Sequence, residues 1–346
     1  MAKWKVESGK GNSAIIHLRY FLQLVTGLIV MGLFSCSHAP PALIVEGELL
    51  ISTDPHLHDN LTRHLTVLTK DIGSRSIYEI EKLRAAGEYV EGEFTDMGLT
   101  VGRHEYEASG RSTANIIARS VWFDPSKPAI LLGAHYDTVP GTPGADDNAS
   151  AVAVLLETAR QMMSRSSDRL ENIIFVAFST EEPPSFGTPY MGSRMFADSL
   201  GYLGYQVEGA IILEMVGYYD HRPGTQMVPT GVDLSGIGDA GDFLAIVADG
   251  QSEGLAEKVL AGYRESGSRL KALSIVFPEP KGEFASLIRL SDHASFWDAG
   301  IPAVMITDTA FLRNRNYHQR SDRMSTLSIP AMENVVVGLV SAMLCF

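Results

Sequence analysis

A histidine and several carboxylates follow directly on a short, wholly apolar run of the chain. The run, residues 129–132, predicts a strand buried on both faces, as in a parallel sheet. His135 and Asp137 come just after it, and the segment Gly-Ala-Asp-Asp-Asn-Ala-Ser occupies residues 144–150. In open α/β sheets, ligands bind beyond the carboxyl ends of the strands. The stretch therefore predicts an α/β sheet with a polar site at one edge.

Three further apolar runs of the sequence also end in histidine or glutamate residues. If the predicted strands are neighbours in one sheet, these polar side chains converge in one cleft with His135. Glu181 and Glu182 follow the run at 172–178, and Glu214 follows the run at 209–213. His318 follows the run at 302–306 after a polar loop.

Strand-like and helix-like patterns alternate along the rest of the chain. Strands are predicted near residues 100–107, 113–121, 129–134, 172–178, 209–215, 243–248, 271–277 and 302–306. Helices are predicted at about 54–70, 76–97, 148–163, 190–199, 252–265 and 330–344. We expect the last helix, with the apolar residues 335–346, to pack against the core. The alternation predicts an α/β protein with a central mixed sheet in one domain.

The composition indicates a globular chain with an acidic surface. Of its 346 residues, 45% are hydrophobic and 20% are charged, which is enough apolar material for a large core. The formal net charge is −13 at pH 7. Nucleic acid, itself a polyanion, is therefore not an expected partner.

Residues 1–35 have the pattern of an export signal. Four basic residues precede an apolar run at 20–34, which is short for a membrane span. Cys36 closes a segment that resembles the lipobox of bacterial lipoproteins, in which the cysteine is lipidated. We predict an export segment at 1–35, a linker at 36–53 and the main domain at 54–346. The protein would then be exported and held to a membrane, in the periplasm or at the cell surface; an uncleaved membrane anchor and ordinary signal cleavage are the alternatives.

The residue types in the predicted cleft suit a pair of divalent metal ions. Two ions about 3.5 to 4 Å apart need a carboxylate that bridges them, further nitrogen and oxygen ligands, and an open position for water. Asp147 is placed to bridge, as the predicted N-cap of a helix beginning near Asn148. His135 suits one ion and His318 the other, while Asp137 can orient His135 from behind.

Glu181 and Glu182 form a second signature. One carboxylate of an adjacent pair can bind a metal ion while its neighbour takes a proton from water. A metal ion lowers the pKa of its bound water to about 7, so a carboxylate is a sufficient base. The position of the pair directly after a buried strand is what distinguishes it from a solvated surface pair.

These motifs, in this order, resemble the co-catalytic dizinc aminopeptidases, family 28 of the metallopeptidases, over about residues 60–345. The matching positions are His135 with Asp137, residues 144–150, Glu181 with Glu182, Gly192 with Ser193, and Tyr317 with His318 and Asp322. The resemblance implies a single α/β domain with a mixed, mostly parallel sheet between helices. It makes residues 54–346 a zinc metallopeptidase catalytic domain that removes N-terminal residues from peptides with free N-termini.

The resemblance also implies a role for each site residue. It implies two Zn²⁺ ions per chain, held by His135, Asp147, Glu182, Glu214 and His318. Asp147 bridges the ions, with Glu182 and His318 completing one site and His135 and Glu214 the other. Glu181 becomes the general base that activates a zinc-bound water. Asp137, as the residue that can orient His135, is placed with Glu181 in the catalytic set.

Two features differ from the family pattern. Glu214 stands where the family usually has aspartate, and its side chain is one methylene longer. The proline-rich segment 183–191, between Glu182 and Gly192, is a longer and stiffer loop than the resemblance leads us to expect. We expect this loop to shape the substrate pocket. Within the resemblance, residues 291–293 form another loop that borders the substrate cleft.

Two other functions remain open from the sequence. Glutaminyl cyclases share this fold and resemble the chain at its metal motifs, but they work with one zinc ion and release ammonia. The segment at 144–150 favours the peptidase, whereas Glu214 makes a second zinc site less secure. The other alternative is an inert, lipid-anchored binding protein on a peptidase scaffold. Glu181 argues against it, because a binding module has no need of a base.

Overall fold

The apolar runs of the sequence form one mixed sheet in the computed structural model, which describes residues 54–165, 172–229, 238–278 and 283–346. The strands are β1 (Thr100–Ala108), β2 (Arg111–Arg119), β3 (Ala129–His135), β4 (Ile173–Phe178), β5 (Val207–Glu214), β6 (Phe243–Asp249), β7 (Lys271–Phe277) and β8 (Ala303–Thr307). The helices are α1 (Leu57–Thr66), α2 (Ile80–Asp96), α3 (Ala151–Met163), α4 (Gly192–Leu203), α5 (Glu253–Glu265), α6 (Glu283–Leu287), α7 (His293–Asp298) and α8 (Ile329–Met343).

The strands are arranged across the sheet in the order β1-β2-β4-β3-β5-β8-β6-β7. The middle four, β4, β3, β5 and β8, are all parallel to one another. Antiparallel pairing joins β1 to β2, β2 to β4 and β6 to β8, while β6 and β7 are parallel. The predicted mixed sheet, mostly parallel and flanked by helices, is confirmed. Its parallel middle brings the carboxyl ends of four strands to the same edge.

The central strands are buried on both faces, which is why their sequences are apolar without alternation. In β3, Ile130 and Leu132 pack in the apolar cluster that includes residues of α3 and α8, whereas Leu131 packs in the cluster that includes α4 and α7. Every residue of β3 is buried, including His135 at its end. The strand that carries the first histidine is thus held from both sides.

Helix α8 packs closely against α5, with Val335 and Leu339 of α8 fully buried. The expectation that this apolar end of the chain packs on the core is confirmed. Glycines set the separation of the two helices. A Cβ added at Gly262 would lie 2.3 Å from the Cα of Ala342, and one added at Gly338 would lie 2.1 Å from the ring of Tyr263.

The structure differs from the sequence prediction in a few elements. Helix α3 begins at Ala151 instead of 148, and α1 ends at Thr66, where a π-helical turn, Val67–Ile72, continues the chain. The short helices α6 and α7 were not predicted, because five or six residues are too few for an apolar period to stand out.

The predicted export segment and linker, residues 1–53, lie outside the described residues. Within the described part of the chain, no helix combines the length and the hydropathy needed to cross a bilayer.

Candidate metal centre

The predicted site residues lie together at the carboxyl ends of the four parallel strands. His135 and Glu214 are the last residues of β3 and β5. Glu181 and Glu182 follow the end of β4, and His318 lies in the irregular loop after β8. The four strands are neighbours in the order β4-β3-β5-β8, so their end residues converge in one cleft, as an open α/β sheet favours.

Asp147 lies between the two histidines. Its Oδ1 is 3.5 Å from Nε2 of His135, and its Oδ2 is 3.2 Å from Nε2 of His318. The two oxygens of one carboxylate therefore face different histidines. A carboxylate that bridges two metal ions needs this arrangement.

Two groups of potential ligands share Asp147. His135, Asp147 and Glu214 form one group, and Asp147, Glu182 and His318 form the other. Within each group the donor atoms all lie within 4.8 Å of one another. Glu214 Oε2 is 3.3 Å from His135 Nε2, and Glu182 Oε2 is 3.4 Å from His318 Nε2. Mixed imidazole and carboxylate donors of this kind suit zinc.

The buried polar atoms of the cleft fit a bound cation. His135 is 1% exposed, and neither of its ring nitrogens makes a hydrogen bond within the described residues. Oε1 of Glu182 also has no hydrogen-bond partner there. Buried polar groups are nearly always paired, so orphaned nitrogen and oxygen atoms that face one another across a few ångströms indicate a site for a positive ion.

The pKa values of the cluster reflect its crowded charges. Burial raises the pKa of Glu182 to about 8 and raises the pKa of Glu181 well above its ordinary value. Burial lowers the pKa of His135, but the charges of Glu214 and Glu181 outweigh it, and the result is a pKa well above the ordinary value. Burial thus disfavours the charged forms of the two glutamates, while the nearby carboxylates favour a charged His135.

Asp137 supports two sides of the site. Its Oδ1 is 3.3 Å from Nδ1 of His135, on the side of the ring away from Asp147. Its two carboxylate oxygens also accept hydrogen bonds from the backbone N–H groups of Glu181 and Glu182, at 3.0 and 3.1 Å. The sequence predicted the first contact but not the second. Asp137 therefore links the end of β3 to the glutamate pair after β4.

The prediction that Asp147 is a helix N-cap is wrong. Helix α3 begins at Ala151, and its cap position is Ser150. Asp147 lies before it in the irregular turn Ala145–Ser150, where its φ of −103° and ψ of 88° are not helical. The carboxylate of Asp322 holds this turn by accepting hydrogen bonds from the N–H groups of Asp146, at 2.9 Å, and Asp147, at 3.1 Å.

Glu214, which is predicted as a ligand and is longer than the aspartate usual at its position, has a hydrogen-bond partner of its own. Ser291, which is fully buried, donates a hydrogen bond of 2.7 Å from Oγ to Oε2 of Glu214. That oxygen is the one that faces His135. This contact places Ser291 beside Glu214, and a border of residues 291–293 with the substrate cleft stays a prediction.

Comparison with known proteins identifies the family. Residues 115–343, more than half of the chain, match the model of peptidase family M28. The chain belongs to peptidase family M28. Two of its relatives match more than four-fifths of this M28 chain. The uncharacterized protein YfbL of Escherichia coli (strain K12) is 36% identical over 302 residues, which is 84% of this chain and 90% of that protein. A probable leucine aminopeptidase of Arthroderma otae is 25% identical over 301 residues, 82% of this chain and 71% of that protein.

Solved structures share the fold at lower identity. The LapA aminopeptidase of Legionella pneumophila superposes with a TM-score of 0.66 and 22% identity, covering 83% of this chain and 71% of that one. A glutaminyl cyclase of Porphyromonas gingivalis gives a TM-score of 0.60 and 21% identity, covering 83% and 96% of the two chains. The family, the fold class and the assignment as a metallopeptidase are confirmed.

Two adjoining cavities open at the candidate metal centre of this M28 chain. One, of about 90 Å³, lies over the carboxylates and is also lined by Pro183 and Phe186. The loop at 183–191 thus contributes two residues to this cavity, and its part in a substrate pocket stays a prediction. The second, of about 100 Å³, is largely apolar. Glu214, Leu290 and Tyr317 line both cavities. The second cavity is walled mainly by Met227, Phe243, Val247, Ile275, Met305 and Phe311.

Tyr317 and His318 share one wall of the M28 site. Their rings stack, with centroids 3.8 Å apart and planes 22° from parallel. The side chain of His318 is 32% exposed, in contrast to the buried His135. His318 also has a φ of 57°, a left-handed conformation that its loop has to impose. The stacked tyrosine holds the imidazole in place on the open side of the cleft.

Proposed function

We propose that the chain is a zinc-dependent aminopeptidase that hydrolyses the N-terminal peptide bond of peptides with free N-termini. The observation that carries the proposal is Asp147, whose two oxygens face His135 and His318. Membership of family M28 and a relative named as a probable leucine aminopeptidase also support it.

We assign two zinc ions to the five ligands. His135 and Glu214 would hold one ion, Glu182 and His318 the other, and Asp147 would belong to both. When bound, zinc polarises the carbonyl of the scissile peptide bond and lowers the pKa of water. Ser291 and Asp137 orient Glu214 and His135, respectively, through the contacts described above.

Glu181 is proposed as the general base and acid. It is 5% exposed, and its Oε2 lies 3.8 Å from Nε2 of His135, beside the ligands. It takes a proton from the attacking water and returns that proton to the amine of the leaving peptide. Burial raises the pKa of the Glu181 carboxyl group well above its ordinary value. A carboxylate is a sufficient base here, because a metal ion lowers the pKa of its bound water to about 7.

We propose that the apolar cavity receives the side chain of the N-terminal residue. The cavity adjoins the carboxylates and shares Glu214 and Tyr317 with them. Its volume of about 100 Å³ and its apolar walls favour leucine, methionine or phenylalanine over charged side chains. A cationic α-amino group fits the neighbouring carboxylates.

Mass spectrometry of peptides incubated with the purified protein and zinc tests the proposal. We expect stepwise loss of single residues from peptides with a free N-terminus, fastest for apolar residues, and no change in acetylated copies. A Glu181→Gln variant is the matched control for contaminating peptidases. Loss of ammonia from peptides that begin with glutamine, without hydrolysis, would assign the glutaminyl cyclase reaction instead. No change in any peptide would favour an inert binding protein.

We further propose that the mature protein is a lipoprotein attached to a membrane through Cys36, with residues 54–346 as its catalytic domain. The support is the sequence pattern of residues 1–36. A Cys36→Ala variant should move the protein out of the membrane fraction and abolish metabolic labelling with a fatty acid. Labelling that persists in the variant would exclude Cys36 as the acylated residue.

A further inference from the structure

Arg75 lies fully buried behind the metal centre, in the connection that leads to α2. Its guanidinium donates hydrogen bonds to five backbone carbonyls. Among the described residues, no carboxylate is hydrogen-bonded to it. A buried cation held by carbonyls alone is unusual, because buried charges are normally paired with an opposite charge. The arrangement needs a reason beyond local stability.

Three of those carbonyls belong to the loop that joins β3 to the turn of Asp147. Nε donates to the carbonyl of Tyr136 at 2.6 Å, Nη1 to that of Pro143 at 2.8 Å and Nη2 to that of Gly144 at 3.0 Å. The remaining two acceptors, the carbonyls of Leu68 and Gly73, brace the segment from which Arg75 itself extends. One planar guanidinium therefore joins both ends of the loop 136–144 and fixes them to the body of the protein.

The two ends of this loop carry the two halves of the metal site. Tyr136 is flanked in sequence by His135 and Asp137, and Gly144 lies three residues before Asp147. The backbone of Arg75 adds a further tie, since its N–H donates to Oγ1 of Thr138 at 3.0 Å. Any change in the separation of the loop ends changes the distance from His135 to the shared carboxylate.

The backbone around Gly144, before the turn of Asp147, is also closely packed. Gly144 has a φ of 58°, and a Cβ added there would lie 2.5 Å from the carbonyl oxygen of Asp147 and 3.3 Å from Nη2 of Arg75. Burial lowers the pKa of Arg75 only to about 10, so the side chain stays charged at neutral pH. Its positive charge lies near the acids of the centre, of which Asp137 has the largest effect on it.

We propose that Arg75 is a positioning residue of the metal centre: its guanidinium sets the distance between His135 and Asp147 and thereby the affinity for metal. A lysine at this position would keep the charge but replace the planar fork by a compact ammonium with three donors. The proposal rests on the metal ligands assigned above, but its test does not depend on peptidase activity.

Competition between the purified protein and a chromogenic zinc chelator tests the proposal. Substitution of groups that orient metal ligands typically costs about 10- to 100-fold in metal affinity, and we expect a loss of this size in Arg75→Met. Arg75→Lys should give a smaller loss. Thr138→Val, which removes only the tie to the backbone of Arg75, should weaken zinc binding measurably, whereas Thr138→Ser should bind as the wild type does.

Arg160→Met is the control for loss of stability alone. Arg160 contacts Glu93 and Glu157 in the α2–α3 packing, away from the loop 136–144. Thermal unfolding of each metal-free variant is recorded alongside. We expect Arg160→Met to lower the unfolding temperature without changing the zinc affinity. Wild-type zinc affinity in the Arg75 and Thr138→Val variants would overturn the proposal. So would an equal loss of affinity in Arg160→Met, because the effect would then be general. If Arg75→Met fails to fold, the zinc affinities of Arg75→Lys and Thr138→Val test the proposal in its place.

Discussion

At the scale of single residues, the candidate metal centre contains carboxylates that make different contacts although their sequence positions look alike. Asp147 faces both histidines, Asp137 accepts two backbone N–H groups behind them, and Asp322 fixes the turn of Asp147. Glu181 and Glu182 are adjacent, yet in the ligand groups only Glu182 joins Asp147 and His318. In our assignment, the surroundings of each glutamate, and not its residue type, separate the ligand from the base.

Glu181→Gln should abolish turnover while leaving zinc binding intact. Glutamine keeps the size of the side chain but cannot take a proton from water, and loss of a general base typically costs about 10²- to 10⁴-fold in rate. Steady-state kinetics and zinc content measured on the same preparation check this. Normal kcat in the variant would show that another group is the base.

Asp137→Asn should weaken both zinc binding and activity by about 10- to 100-fold. The amide has one acceptor oxygen, so it can accept a hydrogen bond from only one of the N–H groups of Glu181 and Glu182. Its NH₂ group would face the second N–H group, and two donors cannot form a hydrogen bond. Chelator competition and kcat/KM measure the two effects. Asp124→Asn, at a surface turn, is the control. If Asp137→Asn matched this control in both measurements, Asp137 would have no part in positioning the site.

The sequence allowed the residues that converge in the cleft to be predicted, but not most of the groups that hold them in place. The ligands follow strand ends, and strand ends can be located from apolar runs. The contact from Ser291 to Glu214 and the carbonyl contacts of Arg75 join segments far apart in the sequence. Nothing in the neighbourhood of Arg75, a short polar stretch between two helices, distinguishes it from a surface arginine.

At the scale of elements, the strands were the most predictable part of the fold and the short helices the least. Burial on both faces leaves a strand such as β4 without polar residues, so its limits are visible in the sequence. Helix α7, by contrast, has only six residues, and one of them is His293, which is polar but fully buried. Its place in the fold depends on tertiary contacts that leave no periodic pattern.

His293 should make the fold sensitive to acid. Its Nε2 donates to the carbonyl of Ile288 at 2.7 Å, and burial lowers its pKa to about 4, from the ordinary value of about 6.5. Between these two pH values the unfolded chain binds a proton that the folded chain does not. Stability is therefore complete above pH 6.5 and falls as the pH is lowered towards 4, by up to about 3 kcal/mol.

Urea denaturation from pH 8 to pH 5 tests this effect. His293→Gln can keep a hydrogen bond to Ile288 but gains no proton, so its free energy of unfolding should fall less than that of the wild type over the acid range. Each protein's value at pH 8 serves as its own reference, which removes any constant cost of the substitution. Equal losses in the two proteins would exclude His293 as the acid-sensitive group.

Gly262→Ala should destabilise the packing of α5 on α8. The added Cβ would lie 2.3 Å from the Cα of Ala342, a backbone atom that cannot move alone. Overpacking of this kind costs typically about 1 to 3 kcal/mol. Gly254→Ala in the same helix is the control, since its Cβ would meet nothing within 4 Å. Chemical denaturation measures both, and similar stabilities in the two variants would contradict the close packing.

At the scale of the whole molecule, metal and fold should be linked, because the centre lies where four strands end and several loops meet. Removing zinc would leave several buried carboxylates crowded together with no metal cation among them. We expect a chelator to lower the thermal unfolding temperature, and zinc to restore it. Each tenfold rise in free zinc above the Kd should add about 1.4 kcal/mol per site to the free energy of unfolding.

Scanning calorimetry at several free zinc concentrations measures this linkage. Asp147→Ala is the matched variant, since loss of the shared carboxylate removes a ligand from both sites at once. Its unfolding temperature should depend far less on zinc than that of the wild type. A wild-type unfolding temperature that did not change with zinc would mean that the folded chain does not bind the ion more tightly than the unfolded chain, which would contradict the assigned sites.

The wall between the two cavities limits how substrate specificity can change in an enzyme with this site. Glu214, Leu290 and Tyr317 line both spaces, and Glu214 is also a ligand in our assignment. A substitution at Glu214 that altered the preferred amino-acid side chain would disturb the metal as well. New specificities are therefore more easily reached through the distant wall, at positions such as Met227 and Phe311. We expect natural and engineered variation in substrate choice to accumulate there, while the shared wall stays fixed.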